Sequence, residues 1–272
     1  MEKLRRRAIE FTRFWNPDDL SLGFSDAECL AAADKAVCEI TGGKGKICVR
    51  LCGQSGSGKS TQLFPAAAAF FGAIGVELVH VAVRNFVKYH PRLGEIRRMF
   101  GDEKLRENTN AFALLTLLLA LEKLIASGFA LLFEMTLLSP EFEKYVSSLL
   151  ANAGYSVEYH ILAVPKSVSD NFIQRRAAAN GIEQGRVVLK KSADFFYDVL
   201  LPGMDAAAGV ITGASAVVWS AFDADPVFVG KIGDEEVRRT IERYRGRIDV
   251  ANMSEIELLD AKVKWFKNHR AG

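Results

Sequence analysis

The chain is poor in the residues that build metal centres and disulfide frameworks. Its 272 residues include only four histidines and four cysteines. Cys29, Cys38, Cys48 and Cys52 show no metal-ligand or redox spacing, and the histidines are scattered, so no zinc site is suggested. Reduced, mostly buried thiols in a cytoplasmic protein are expected. An excess of one charge is also lacking. A net charge of +2 gives no argument for a nucleic-acid or anionic-membrane partner. The start, Met1-Glu2-Lys3-Leu4-Arg5-Arg6-Arg7, is basic, but no apolar core of a signal peptide follows it. The longest apolar run, Ala111 to Leu121, is too short to cross a bilayer and stops at Glu122-Lys123, so it reads as a buried helix. There is no internal repeat and no low-complexity segment. With 49% hydrophobic and 25% charged residues, the chain can bury a substantial core.

What is present is concentrated in one octapeptide. Gly53 to Ser60 reads GQSGSGKS, a complete G-x-x-x-x-G-K-[ST] phosphate loop. Gly53, Gly56 and Gly58 let the backbone turn so that successive N–H groups face a phosphate. Ser55, Ser57 and Thr61 complete the cradle. Lys59 can reach the β- and γ-phosphates, and the Ser60 hydroxyl can ligate Mg²⁺. The context agrees: a short strand, Lys46 to Cys52, precedes the loop, and a helix-compatible run follows it. ATP is the expected ligand.

Alternation extends the pattern. Strands are expected at Lys46–Cys52, Val76–Val83, Phe129–Met135, Ser156–Val164 and Ala216–Ser220. Helices are expected at Lys59–Phe71, Pro91–Phe100, Asn110–Ser127, Pro140–Ala153, Val168–Ala179 and Leu189–Ala207. Strands rich in Val, Leu and Ile suit a sheet covered on both faces. The fold class is α/β: a P-loop NTPase, kinase-like, with a doubly wound, mostly parallel sheet flanked by helices. Pro65 falls inside the first expected helix, where it removes a backbone hydrogen bond and invites a kink. Residues 1–45 read as a helical N-terminal extension, 46–230 as the kinase core, and 231–272 as a C-terminal helical extension packed on it. The extension at 1–45 is expected to pack rather than to inhibit in cis.

Ligands bind beyond the carboxyl ends of such strands. After the second strand comes Arg84-Asn85-Phe86-Val87-Lys88-Tyr89-His90-Pro91, basic and aromatic together, which suits a phosphorylated or ring-containing substrate. After the third comes Glu134-Met135-Thr136, a carboxylate where a P-loop enzyme holds Mg²⁺ through water or orients its acceptor. Arg175, Arg176 and Arg186 lie on or near a glycine-flexed segment and can close over a γ-phosphate. Small-molecule hydroxyls are the expected acceptors. Near-neutral charge without a basic-aromatic groove argues against long nucleic acids, and no membrane partner is expected.

Taken together, Gly53–Thr61, His90-Pro91, Glu134-Met135-Thr136 and Val164-Pro165-Lys166-Ser167-Val168-Ser169 leading into Arg175-Arg176 resemble the zeta-toxin family of P-loop kinases. That family also includes relatives of chloramphenicol phosphotransferase. The resemblance covers roughly Lys46 to Val199. It implies ATP and Mg²⁺ as cofactors, transfer to the 3′-hydroxyl of a sugar nucleotide such as UDP-N-acetylglucosamine, and an antitoxin or other protein partner. It implies that Lys59 and the loop amides hold the ATP phosphates and that Ser60 holds Mg²⁺. Glu134 and Thr136 would face the acceptor, beside Arg84, Asn85 and His90. One of Arg175 and Arg176, with Arg176 favoured because it lies further along the helix, would form the arginine clamp with Arg186.

Two positions depart from the family pattern. The family carries its general base, an aspartate, six residues before the histidine of His-Pro, and here that position is Arg84. No Asp or Glu occurs between Glu77 and Glu95. Leu138 stands where toxins tend to place an arginine. Glu134, Asp170 and Asp194 are the candidate substitutes for the base, Glu134 first because it ends a strand. A nucleotide-binding pseudo-kinase acting through a protein partner is the alternative reading. A nucleoside, nucleotide or polynucleotide kinase is the third.

Overall fold

The computed structural model describes residues 23–101, 104–137, 139–180, 194–195, 197–246 and 255–269. Local chemistry starts several of its helices. The Ser25 hydroxyl accepts from the Glu28 N–H at 3.2 Å while Glu28 accepts from the Ser25 N–H at 2.6 Å, a capping box that opens α1, Asp26–Glu39. Ser139 caps α5, Pro140–Asn152, with Pro140 in its first turn.

Six strands form one sheet in the order β2-β3-β1-β4-β5-β6. They are β1 (Ile47–Cys52), β2 (Val79–Val81), β3 (Leu131–Glu134), β4 (Ser156–Ala163), β5 (Ser215–Ser220) and β6 (Phe228–Lys231). The first five are mutually parallel, and β6 runs antiparallel on the β5 edge. All five expected strands are present, and β6 is additional. Period two along β1 divides the core. Cys48 and Cys52 face one cluster, with α1, α4 (Leu105–Ala126), α5 and α7 (Leu200–Ala208). Val49 and Leu51 face another, with α2 (Phe64–Ala73) and α9 (Glu255–His269). Helices therefore cover both faces of a mostly parallel sheet, the P-loop kinase fold. The described helices also include α3 (Leu93–Phe100), α6 (Lys166–Asn180) and α8 (Glu235–Arg245).

By length and composition α4 contains a stretch, Asn108–Ala126, that would pass for a membrane span. In the fold 83% of that window is buried, and the helix is a core element lying under α1. Of the expected helix Leu189–Ala207, the described part is α7 together with helical residues 194–195 and 197–198.

Pro65 is accommodated by a change of helix type. Lys59–Leu63 forms a π-helical turn, in which the Phe64 N–H reaches back to the Lys59 carbonyl. The α-helical α2 starts only at Phe64, so Pro65 occupies its first turn, where a missing N–H costs little.

Candidate nucleotide site

The loop between β1 and the π turn takes the conformation its glycines permit. Gly53, Gly56 and Gly58 have φ of 142°, 77° and 100°. A Cβ on Gly56 would lie 2.4 Å from the Ser169 carbonyl oxygen and 2.8 Å from Ile173 Cγ1, so the first turns of α6 press directly on the loop. Lys59 Nζ donates to the carbonyls of Gly53 at 2.6 Å and Gln54 at 2.8 Å, and lies 3.5 Å from Ser57 Oγ. The lysine thus folds back across its own loop. Thr61 Oγ1 donates to the Gly58 carbonyl at 3.2 Å. Gln54 is 1% exposed, and its amide nitrogen donates to the Val164 carbonyl, joining the loop to the end of β4. The sequence reading passed over Gln54 because the motif leaves that position unspecified.

β3 ends on Glu134, and parallel pairing aligns it with Leu51 on β1. Glu134 is 6% exposed and meets three side chains. Ser60 Oγ donates to its Oε1 at 2.5 Å. Arg84 grips it with both ends of the guanidinium, Nη1 to Oε1 at 3.0 Å and Nη2 to Oε2 at 2.6 Å. His80 Nε2 lies 3.1 Å from Oε2. Burial alone would raise this carboxyl's pKa. The hydrogen bonds from His80, Arg84 and Ser60, with the Arg84 charge, outweigh burial and hold it well below the usual carboxylate range. A carboxylate so stabilised is a weak base while these side chains hold it, which tells against the expectation that Glu134 substitutes for the missing aspartate. His80, in the middle of β2, was also missed. Its signal was a polar residue flanked by valines in a short apolar strand.

Arg84 stands at the start of a 3-10 helix, Val83–Tyr89, directly after β2. The carboxylate it meets is the protein's own Glu134. The Asn85 amide nitrogen donates to the His80 carbonyl at 3.1 Å and ties the strand end to that helix. His90 is 5% exposed, its ring 4.6 Å from Phe112 and 6.4 Å from Phe24, and its Nδ1 accepts from the Arg92 N–H at 3.1 Å. Its Nδ1 is held by the fold and its ring packs among aromatic side chains. Thr136 follows β3 and is half-buried. Of the other candidate bases, Asp194 is ion-paired to Lys166 at 2.7 Å, and Asp170 is half-buried on α6. Arg175 is exposed on α6, which also carries Arg176, while Arg186 and Leu138 lie outside the described residues.

Serine hydroxyl and carboxylate oxygens are suitable donors for Mg²⁺. Here the two share a hydrogen bond, and Arg84 Nη1 lies 3.3 Å from Ser60 Oγ and 3.0 Å from Glu134 Oε1. The set does not fit a divalent cation while the guanidinium holds it.

A glycine-cradled phosphate loop between β1 and a helix, on a mostly parallel sheet, defines a P-loop protein of the kinase fold. A sequence model of the family described as Zeta toxin matches residues 32–214, more than half of the chain. The chain belongs to the zeta toxin family, a family of kinase-like phosphotransferases. It is 29% identical over 150 residues to "Toxin PezT" of Streptococcus pneumoniae serotype 4, a match covering 54% of this chain and 57% of that protein. The match thus spans little more than half of that relative's length. A solved structure from a study of the PezAT chromosomal toxin-antitoxin system of Streptococcus pneumoniae superposes with a TM-score of 0.62. It is 21% identical, over 90% of this chain and 96% of that one. The AvrRxo1-ORF1:AvrRxo1-ORF2 complex with ATP is more distant, with a TM-score of 0.44 at 14% identity over 97% of this chain and 84% of that one, and bears no weight here.

Proposed function

We propose that the chain binds ATP on Gly53–Thr61 and transfers the γ-phosphoryl group to a hydroxyl of a small molecule, a sugar nucleotide such as UDP-N-acetylglucosamine being the first acceptor to test. The observation that carries this reading is the loop itself. Three left-handed glycines lead into Lys59, whose Nζ rests on the Gly53 and Gln54 carbonyls within the same loop. A terminal phosphate would draw that ammonium away from neutral carbonyls. Arg176 and Arg186 would close over the transferred group, and Thr136 would face the acceptor. Phosphoryl transfer relies mainly on positioning and charge neutralisation, so an enzyme without its aspartate keeps a route to the product. The absent general base lowers the rate by about 10²–10⁴-fold.

The grip of Arg84 on Glu134 favours a second reading, a nucleotide-binding pseudo-kinase acting through a protein partner of the antitoxin kind. A transfer screen with γ-³²P-ATP separates the two, run against UDP-sugars, nucleotides and phenicol- or aminoglycoside-like alcohols beside Lys59→Ala. Labelled product that disappears in Lys59→Ala supports the kinase and names its acceptor class. ATP binding by the wild type with no product on any acceptor supports the pseudo-kinase. A folded protein that does not bind ATP ends both.

A further inference from the structure

At the phosphate loop the hydrogen-bonded pair of Ser60 Oγ and Glu134 Oε1 is capped by a positive charge. Arg84 Nη1 contacts both oxygens, at 3.3 Å and 3.0 Å, and Nη2 closes the fork on Oε2 at 2.6 Å. The guanidinium brings its charge to both oxygens. A cation entering here would compete with it for both oxygens and be repelled by it. The arrangement is supported from behind. His80 contacts Oε2 at 3.1 Å, its ring lies 4.2 Å from Phe64, and Asn85 secures the His80 carbonyl. Arg84 meanwhile remains open to ligand, with its side chain 47% exposed. A guanidinium carries five N–H donors, more than the fork on Glu134 uses.

We propose that Arg84 takes the place of the divalent cation: a nucleoside di- or triphosphate binds here as the metal-free anion, its terminal phosphates neutralised by Lys59 and Arg84. The arginine is then a nucleotide-binding residue, and its exchange for the family's aspartate both removes a base and supplies a charge. This inference rests on the reading that the loop binds nucleotide.

Calorimetric titration of the full chain with ADP and with a non-hydrolysable ATP analogue, in excess MgCl₂ and in EDTA, tests it. Because excess Mg²⁺ sequesters the free nucleotide, wild-type affinity should fall by roughly tenfold or more from EDTA to MgCl₂, whereas Mg²⁺ should tighten binding to Arg84→Ala by roughly tenfold or more. Arg84→Gln, which keeps a long polar side chain, should behave like Arg84→Ala and covers the case in which the shorter variant fails to fold. Mn²⁺ provides a readout independent of affinity. With ADP present, its electron paramagnetic resonance spectrum should match that of Mn·ADP alone beside the wild type, and change beside either variant. Equal or tighter wild-type binding in MgCl₂, or a protein-bound Mn²⁺ signal, would overturn the inference and leave nucleotide binding standing. No binding by folded wild type in either condition would overturn nucleotide binding itself, and this inference with it.

Discussion

Arg50 and Glu143 form an ion pair at 2.9 Å with both side chains fully buried. Arg50 sits in the middle of β1, one face of the sheet above α5, and its guanidinium lies 4.6 Å from the Phe133 ring and 5.5 Å from that of Tyr159. Burial works against the charged form, yet the Glu143 carboxylate outweighs it and keeps the guanidinium protonated. Arg50 Nε and Nη1 find no hydrogen-bond acceptor among the described residues. The pair is therefore costly to bury, and costlier to break.

Removing one partner leaves a charge stranded in the core. Glu143→Ala is expected to destabilise the fold by about 3–5 kcal/mol. Replacing both, with Arg50→Met and Glu143→Leu, should cost much less, or even stabilise, because the desolvation penalty goes too. Urea denaturation of the two single variants and the double variant gives the coupling energy directly. Additive losses would mean that the pair is not coupled.

His90 makes stability depend on pH. Burial, and then the Arg92 charge, push its pKa down to about 4, while Glu28 pulls weakly the other way. Protonation would also place a hydrogen on Nδ1, which accepts from the Arg92 N–H. The folded pKa lies below the unfolded value of about 6.5, so the unfolded chain binds more protons between the two. The contribution of neutral His90 is complete above about pH 6.5 and is lost as pH falls through about 4, amounting to roughly 3 kcal/mol. Thermal melts from pH 7 to pH 4 should show a smaller acid loss for His90→Phe than for the wild type. Parallel curves would show that His90 does not carry it.

Much of the fold could be read from the chain because its signals are local. Each of the five parallel strands is a short apolar run, and Gly53–Ser60 states its conformation in its own residues. β6 escaped because Phe228-Val229-Gly230-Lys231 is short, contains a glycine and is strand-like only against β5. Pro65 conflicted with a continuous helix, and the π turn that resolves the conflict has no simple sequence mark. The site was legible by residue but not by partner. Glu134 and Arg84 were both singled out, but their contact depends on β2 pairing beside β3 through Val79–Leu131 and Val81–Phe133. His90 drew attention as part of a motif, and its burial beside Phe112 depends on α4 packing under the sheet's neighbouring helices.

Gly56 tests how tightly the loop is built. Gly56→Ala forces a side chain into φ of 77° and within 2.4 Å of the Ser169 backbone oxygen, which cannot swing aside as a side chain would. The left-handed backbone alone costs about 1–2 kcal/mol, and the clash adds to it. The first turns of α6 should be displaced from the loop, weakening nucleotide binding more than Gly72→Ala, where an added Cβ meets nothing within 4 Å. Fluorescent-nucleotide titration of the two variants makes the comparison. Equal affinity would mean that α6 yields without cost.

The C-terminal helix tests whether structure beyond residues 32–214 of the family match belongs to the core. On α9, Phe266 is fully buried, 5.8 Å from the Phe70 ring and 6.0 Å from that of Trp219, and Trp265 stands edge-on to Trp219 at 5.0 Å. Lys262 Nζ donates to the Asp223 carbonyl at 2.7 Å, pinning the helix to the loop after β5, with burial lowering its pKa to about 8. The same loop receives Gln62 of the π turn, whose amide nitrogen donates to the Ala221 carbonyl at 3.4 Å. α9 thus covers α2 and the loop that contacts the phosphate-binding turn. Phe266→Ala should destabilise by about 3–5 kcal/mol, in the range of large-to-small core substitutions. Because Trp219 is fully buried beneath it, intrinsic fluorescence should shift to the red in the same variant before global unfolding. A loss below about 1 kcal/mol without a spectral change would show that α9 rests on the surface as an appendage.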